Sequence, residues 1–281
     1  MTATGLRLDR WLVANGYVAT RSRARWLIEC GQVWVRGQPC RKPAFVVSAS
    51  CQIELRGAGL PYVGRGGLKL ERALQTFGID VSGLVVFDIG ASTGGFTDCL
   101  LQQGAERVYA LDVGIGQLAL KLRRDPRVIA LEGRNVRTFQ ATELLETVGL
   151  VTVDVSFISL SLVLPLIPPF LQSCARVVAL VKPQFEAGME HIGRGGIVRG
   201  RSGRELALRR VIYSAEATGF HVLQAVDAPG LHAHGNQEIF IDLGWGVQRA
   251  ITVAEQRHPS VLHAPTLSLK APSGIDVAER G

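Results

Sequence analysis

Val85-Val86-Phe87-Asp88-Ile89-Gly90-Ala91-Ser92-Thr93-Gly94-Gly95-Phe96 decides how this chain is read. Three apolar residues run into an aspartate and an isoleucine, a glycine-rich turn follows, and Phe96–Gln103 then holds a helical pattern. A continuous apolar run suits a strand buried on both faces. The glycines Gly90, Gly94 and Gly95 let backbone approach a ligand closely, and the opening helix turns free N–H groups toward it. The same glycines would also serve if they only made tight turns.

Four further apolar runs follow downstream, at Val108–Leu111, Val128–Leu131, Val151–Val155 and Val177–Val181. Helical patterns at Gln117–Leu122 and Thr142–Val148 separate some of them, and Gly203–Thr218 precedes two last strands at His221–Val226 and Glu238–Leu243. Strands separated by helices predict an α/β, doubly wound sheet of seven mostly parallel strands. In such a sheet ligands lie outside the carboxyl ends of the strands at a switch point. Asp112, ending the second strand, then stands where a ribose hydroxyl pair would bind. No Walker lysine follows the glycines, which disfavours a triphosphate. The spacing Asp88…Asp112 does not by itself separate a nicotinamide cofactor from S-adenosylmethionine.

Upstream the chain changes character. Residues 1–72 hold 12 Lys/Arg against 4 Asp/Glu, whereas the other 209 hold 19 against 20, so the net charge of +7 originates in the first quarter. Leu6, Leu8, Trp11 and Leu12 have helical spacing before a turn at Asn15-Gly16, and Ser22–Cys30 predicts a second helix capped by Ser22. Val33–Val35 and Gln52–Leu55 read as short strands flanking a turn at Arg36-Gly37-Gln38. The expected organisation is a small α+β module over 1–56, a Gly-rich linker over 57–67, the α/β domain over 68–246 and a poorly ordered extension over 247–281. Arg7, Arg10, Arg21, Arg23, Arg25, Arg41 and Lys42 are the expected phosphate contacts, with Arg65 in the linker. Trp11, Trp26 and Trp34 read as core before they read as base-stacking platforms. A second basic stretch, Arg194 to Arg210, is either an RNA-facing flap or a solvated loop.

Five cysteines, with no C-x-x-C pair and no histidine at zinc spacing, argue against a disulfide framework and a metal site. The N-terminus lacks the apolar core of a signal peptide, and Leu160–Leu171 is short and broken by three prolines. A cytoplasmic protein, monomeric and independent of metal and membrane, is expected.

The motifs also carry a resemblance. Asp88–Asp98 (DIGASTGGFTD) resembles the cofactor loop of TlyA-type and FtsJ-type RNA 2′-O-methyltransferases. Tyr62–Leu70 (YVGRGGLKL) is similar to the run joining the domains of the TlyA family, with Gly64 where serine is usual. Val153–Leu160 (VDVSFISL) and Leu180–Glu186 (LVKPQFE) match that family's pattern too. Arg7–Arg10, Ser22-Arg23 and Gly31–Gly37 are similar to S-four-type RNA-binding domains, with a V-R-G turn in place of V-N-G. The resemblance implies a Rossmann-like class I methyltransferase fold. It also implies S-adenosyl-L-methionine as methyl donor, and a cytidine ribose in small- or large-subunit ribosomal RNA, or in whole subunits, as target. Some members have been called hemolysins. Residue by residue it implies a catalytic set of Lys69, Asp154, Lys182 and Glu238, and a donor site of Asp88, Gly90–Phe96 (with Ala91, Ser92 and Thr93), Asp112 and Asp154.

The residues agree in part. Asp154 and Lys182 fall at the carboxyl ends of the fourth and fifth strands, on the rim that carries the glycine turn. A ribose hydroxyl is a poor nucleophile near neutral pH, so the enzyme must align an in-line displacement and remove a proton, and Lys182 is the expected general base. Two rivals stand beside this reading. A base N-methyltransferase would place a D/N-P-P-F/Y turn after the fourth strand, and Asp154-Val155-Ser156-Phe157 has its ends without its prolines. A non-catalytic ribosome-assembly factor would keep the pocket without needing the four charges.

Overall fold

The computed structural model describes residues 5–18, 21–29, 31–48, 50–56, 61–198, 200–229 and 235–246. The predicted extension over 247–281 lies outside the described residues.

The N-terminal module contains β1 (Leu6–Arg7), α1 (Leu8–Ala14), α2 (Arg21–Glu29), β2 (Val33–Val35), β3 (Gln38–Pro39), β4 (Val46–Val47) and β5 (Ile53–Leu55). α1 begins two residues later than its apolar spacing suggests because Leu6 and Arg7 pair with Val47 and Val46. α2 starts at Arg21, one residue before the expected cap. Leu8, Leu12, Ala24, Ile28 and Val33 are fully buried in a core that also takes Trp11 and Trp26. Trp34 is half-buried, and the Arg56 guanidinium lies over its ring at 4.2 Å. The hairpin β2–β3 turns on Arg36 and Gly37, both with positive φ (52° and 77°), as a two-residue type I′ connection requires.

The second domain runs through α3 (Arg65–Phe77), β6 (Val85–Ile89), α4 (Gly95–Gln102), β7 (Arg107–Asp112), α5 (Leu120–Arg123), β8 (Val128–Glu132), β9 (Val148–Val153), α6 (Leu160–Val163), β10 (Leu171–Val181), α7 (Pro183–Glu186), α8 (Gly200–Thr218), β11 (His221–Asp227) and β12 (Ile239–Trp245). Its seven strands lie in the order β11-β12-β10-β9-β6-β7-β8. β12 alone runs antiparallel, between β10 and β11. Side chains alternate along the central strands with period two. Val85, Phe87 and Ile89 of β6, Val151 and Val153 of β9, and Val177, Ala179 and Val181 of β10 pack on the face covered by α6 and α8. Val86, Leu150, Val178 and Leu180 pack on the other face, beneath α3 and α4. Leu68, on α3, touches both this second core and that of the N-terminal module.

Three expectations need correction. The helix expected over Thr142–Val148 is a single 3-10 turn, Ala141–Glu143, closed by reciprocal Gln140 and Glu143 capping bonds, and Val148 already belongs to β9. The helix expected from Gln117 begins at Leu120, since the Gln117 N–H is taken by the Glu132 carboxylate at 2.8 Å. The expected linker gives way to helix at Arg65, so its last three residues are the first turn of α3.

Candidate active site

Chain order reverses direction between β6 and β9, and the cleft lies at their carboxyl ends. The turn after β6 places Gly90 at φ 87°, Ser92 at 50° and Gly94 at 94°. A Cβ on Gly90 would sit 2.5 Å from the Asp154 carbonyl oxygen, and one on Gly94 2.2 Å from Leu122 Cδ1. Glycine is thus required at both for steric as well as conformational reasons. The Asp154 N–H donates to the Ile89 carbonyl at 2.9 Å, so the turns after β6 and β9 are joined through backbone. Gly64, Arg65, Gly66, Lys69, the stretch Gly90–Thr93, Gly95, Phe96 and Asp154 line the resulting cleft of about 220 Å³. Two helices begin on it: α3, with Gly64 as N-cap, and α4, with Gly94 as N-cap. The positive dipole ends of the two helices favour a carboxylate or other anion between them.

The acids near the turn divide by role. Asp112 accepts from the Ser92 N–H at 2.8 Å and the Gly114 N–H at 2.7 Å, and so fixes the turn from the neighbouring strand. Asp88, expected among the donor-site residues, is completely buried beneath the turn and does not line the cleft. Its two oxygens accept from Thr97 Oγ1 (2.7 Å, α4) and Thr152 Oγ1 (2.8 Å, β9). Burial pushes its pKa up to about 6 against those bonds, and the Asp154 charge adds to the rise. Glu132, which the sequence did not single out, accepts from the Gln117 and Leu118 N–H groups and pairs with Arg123. The Leu118 bond above all holds its carboxyl below the usual range.

The four charged residues form two pairs. Lys182 Nζ lies 2.7 Å from Asp154 Oδ1 and donates to Ser156 Oγ at 2.8 Å. Lys69 Nζ lies 2.5 Å from Glu238 Oε2. Lys69 is on the first turns of α3 and Glu238 immediately precedes β12, so residues 169 apart in sequence meet. Lys69 and Asp154 open onto the same cleft, which brings both pairs to its wall. Side-chain exposures of 12% for Lys182 and 25% for Asp154 leave the pair mostly withdrawn from water yet reachable. Ser156 lies within a stretch whose pattern was noted, but its role becomes visible only when Lys182, 26 residues on, is brought beside it.

The expected phosphate contacts are not equivalent. Asp9 is fully buried at the start of α1, and its carboxylate pairs with Arg7 Nε (3.1 Å) and Arg21 Nε (2.9 Å). Burial alone would raise the Asp9 pKa, but the bonds from the two guanidiniums outweigh it and hold the carboxyl below its ordinary value. Arg7 and Arg21 therefore serve the module's own fold first. Arg23 lies near the Trp26 ring, with its guanidinium carbon 5.8 Å from the centroid. Arg10, Arg25, Arg41 and Lys42 are exposed, Arg25 3.8 Å from Glu29. In the second basic stretch Arg201 pairs with Glu205, Arg204 with Asp227, and Arg210 donates to the Glu186 carbonyl. Arg199 lies outside the described residues.

A seven-stranded sheet with one reversed strand, a glycine turn at its switch point and lysine–acid pairs on the cleft wall define a class I methyltransferase. A family model described as FtsJ-like methyltransferase matches residues 62–245, and one described as S4 domain matches residues 6–53. Over 247 residues the chain is 40% identical to the 16S/23S rRNA (cytidine-2′-O)-methyltransferase TlyA of Mycobacterium tuberculosis, covering 88% of this chain and 92% of that protein. It is 41% identical to Hemolysin A of Brachyspira hyodysenteriae over 83% of this chain and 97% of that one. A solved structure of a hemolysin candidate from Streptococcus thermophilus superposes with a TM-score of 0.68 at 42% identity, over 87% and 90% of the two chains. The chain belongs to the TlyA family, S-adenosylmethionine-dependent methyltransferases that join an S4 domain to an FtsJ-like domain. The cleft fits that donor: two helix N-termini suit its carboxylate, and the glycine turn admits a ligand close to backbone. Among the described residues no helix is long and apolar enough to cross a membrane.

Proposed function

We propose that this enzyme methylates the ribose 2′-hydroxyl of a cytidine in ribosomal RNA, with Lys182 as general base. The observation that carries the proposal is the Lys182 amine held between Asp154 and Ser156 beside the glycine turn. The Mycobacterium tuberculosis relative bears the name of a 16S/23S rRNA (cytidine-2′-O)-methyltransferase, and the match to an S4 domain over the basic N-terminal module supports an RNA substrate.

When bound, S-adenosylmethionine supplies a methyl group already activated by its sulfonium. The protein's task is to orient the ribose and take its proton. In its neutral form Lys182 presents a lone pair to the 2′-hydroxyl, while Asp154 and Ser156 fix the amine's direction and Asp154 offsets the ammonium that forms. Lys69, tied to Glu238, places a second cation on the same wall, where it neutralises charge developing on the nucleophilic oxygen. Gly90–Gly95 and the two helix N-termini would hold the donor. A base N-methyltransferase has no need of a lysine proton acceptor.

Replacing the base tests the assignment. Lys182→Ala is expected to lower turnover by about 10²–10⁴-fold, the usual worth of a positioned base, with RNA and donor affinity retained. Labelled methyl donor on isolated ribosomal subunits, followed by mass-spectrometric mapping of 2′-O-methyl marks, reads both the rate and the target. Near-normal turnover by the variant would remove Lys182 from the mechanism, and methylation of a base nitrogen would replace the reaction itself.

A further inference from the structure

We propose that Glu186 is a positioning residue for the methyl transfer, clasping the loop after β9 to the loop after β10 so that Lys182 keeps its alignment. The inference rests on the reading of Lys182 as base given above. α7 is a single turn that follows β10. Lys182 is its N-cap and Glu186 its last residue. The Glu186 side chain is not solvated: the residue is 5% exposed. Its Oε2 accepts from Ser159 Oγ at 2.5 Å and its Oε1 from the Leu160 N–H at 2.7 Å. Ser159 and Leu160 close the loop that opens at Asp154. One short helix therefore carries the proposed base at one end and, at the other, the acid that grips the far end of the loop holding that base's two partners.

The contacts between these loops come in two sets. Lys182 reaches Asp154 Oδ1 and Ser156 Oγ, and Glu186 takes Ser159 and Leu160. Between the sets lies Phe157, 91% exposed, whose backbone adopts φ 64°, a conformation that is an outlier for a bulky residue and that the loop's anchors on either side impose. Its ring rests against Phe185 at 5.3 Å, again on α7. Burial raises the Glu186 pKa, opposed by the bonds from Ser159 and Leu160 and by the Arg210 charge. Arg210 itself bonds the Glu186 carbonyl rather than the carboxylate. A buried acid with hydrogen bonds but no bonded cation is costly to keep. Capping the four-residue α6 does not demand it, because Ser159 Oγ already accepts from the Ser161 N–H. What the carboxylate adds is a fixed separation between Ser156 and Lys182. Releasing it frees Phe157 to relax, and Ser156 moves with it.

Steady-state kinetics of the full chain on ribosomal subunits tests this. A displacement near 1 Å at reacting groups costs up to about 10²-fold in rate, so Glu186→Ala is expected to lower kcat by about 30-fold. KM for donor and for RNA should stay within about twofold, since the Asp154 backbone is held to Ile89 independently of Glu186 and the RNA module stands outside the clasp. Glu186→Gln keeps an acceptor for the Leu160 N–H but cannot take the Ser159 proton as a carboxylate does, so its kcat should fall between wild type and alanine. Ser159→Ala removes one of the two bonds, should lose severalfold in kcat, and carries the test together with Glu186→Gln if Glu186→Ala does not fold. Turnover is expressed per site that binds S-adenosylhomocysteine, so a loss of folded protein alone does not register. Wild-type kcat per site in these variants would overturn the clasp, as would a loss confined to KM. If Lys182→Ala is inactive while the Glu186 and Ser159 variants turn over normally, the clasp alone fails. An active Lys182→Ala enzyme would instead end the base assignment on which it rests.

Discussion

Asp88 shows what one residue's surroundings do to its part in the site. As part of the family's cofactor loop it was expected in contact with the donor, but alternation along β6 sends it to the covered face with Val86, under α4. That much was legible in the sequence, because Val85, Phe87 and Ile89 must then share the opposite face. Its bonds to Thr97 and Thr152 were not, since nothing along the chain ties residues 64 apart. Its folded pKa, about 6, stands above the ordinary aspartate value. The stabilisation that goes with the protonated form is thus fully present below the unfolded pKa and is lost as pH rises through about 6. Urea unfolding of the full chain should give a falling midpoint between pH 5 and pH 7, and Asp88→Asn should flatten that fall. Equal slopes for the two proteins would show that another group is responsible. Ser156 and Glu186 escaped the sequence for the same reason as the Thr152 bond: each acts across a loop-to-loop contact.

At the scale of elements, central strands were the most legible parts and short helices the least. β6, β7 and the second half of β10 are apolar on both faces, as burial in a parallel sheet requires, whereas β8 at the sheet edge is only partly buried. The turn after β7 depends instead on a tertiary acid, Glu132, which takes N–H groups that would have opened a longer helix. The β2–β3 hairpin sits between these cases. Its V-R-G sequence foretold a turn with glycine at positive φ, yet the arginine must adopt that region as well. A left-handed non-glycine residue costs about 1–2 kcal/mol, and asparagine bears it better. Arg36→Asn is therefore expected to stabilise the protein by about 0.5–1 kcal/mol, read as a higher thermal midpoint. A lowered midpoint would mean that the arginine side chain contributes contacts outweighing its backbone strain.

For the molecule as a whole, the uneven charge along the chain was the sequence's clearest statement about a polyanionic partner, and the structure divides those cations into two groups. Seven basic side chains of the N-terminal module were expected on phosphate. Asp9 holds two of them, and Arg23 lies near the Trp26 ring. If Arg10, Arg25, Arg41 and Lys42 make the contacts, the slope of log affinity against log salt should be roughly −3 to −3.5. Adding Arg7 and Arg21 would bring it to roughly −4 to −5.5, so a titration of RNA binding between low and physiological salt distinguishes the two. The division of labour between a basic reader and a near-neutral α/β engine could be seen in composition. The meeting of Lys69 with Glu238, and of Leu68 with both cores, could not, because each joins segments that only the finished topology makes neighbours.

The seam at Gly90 carries a further consequence. With the Asp154 carbonyl pressed against the place a side chain would occupy, the glycine turn and the loop that opens at Asp154 meet backbone to backbone, and no residue larger than glycine fits at position 90 unless that loop gives way. A substitution in either turn is therefore felt in the other.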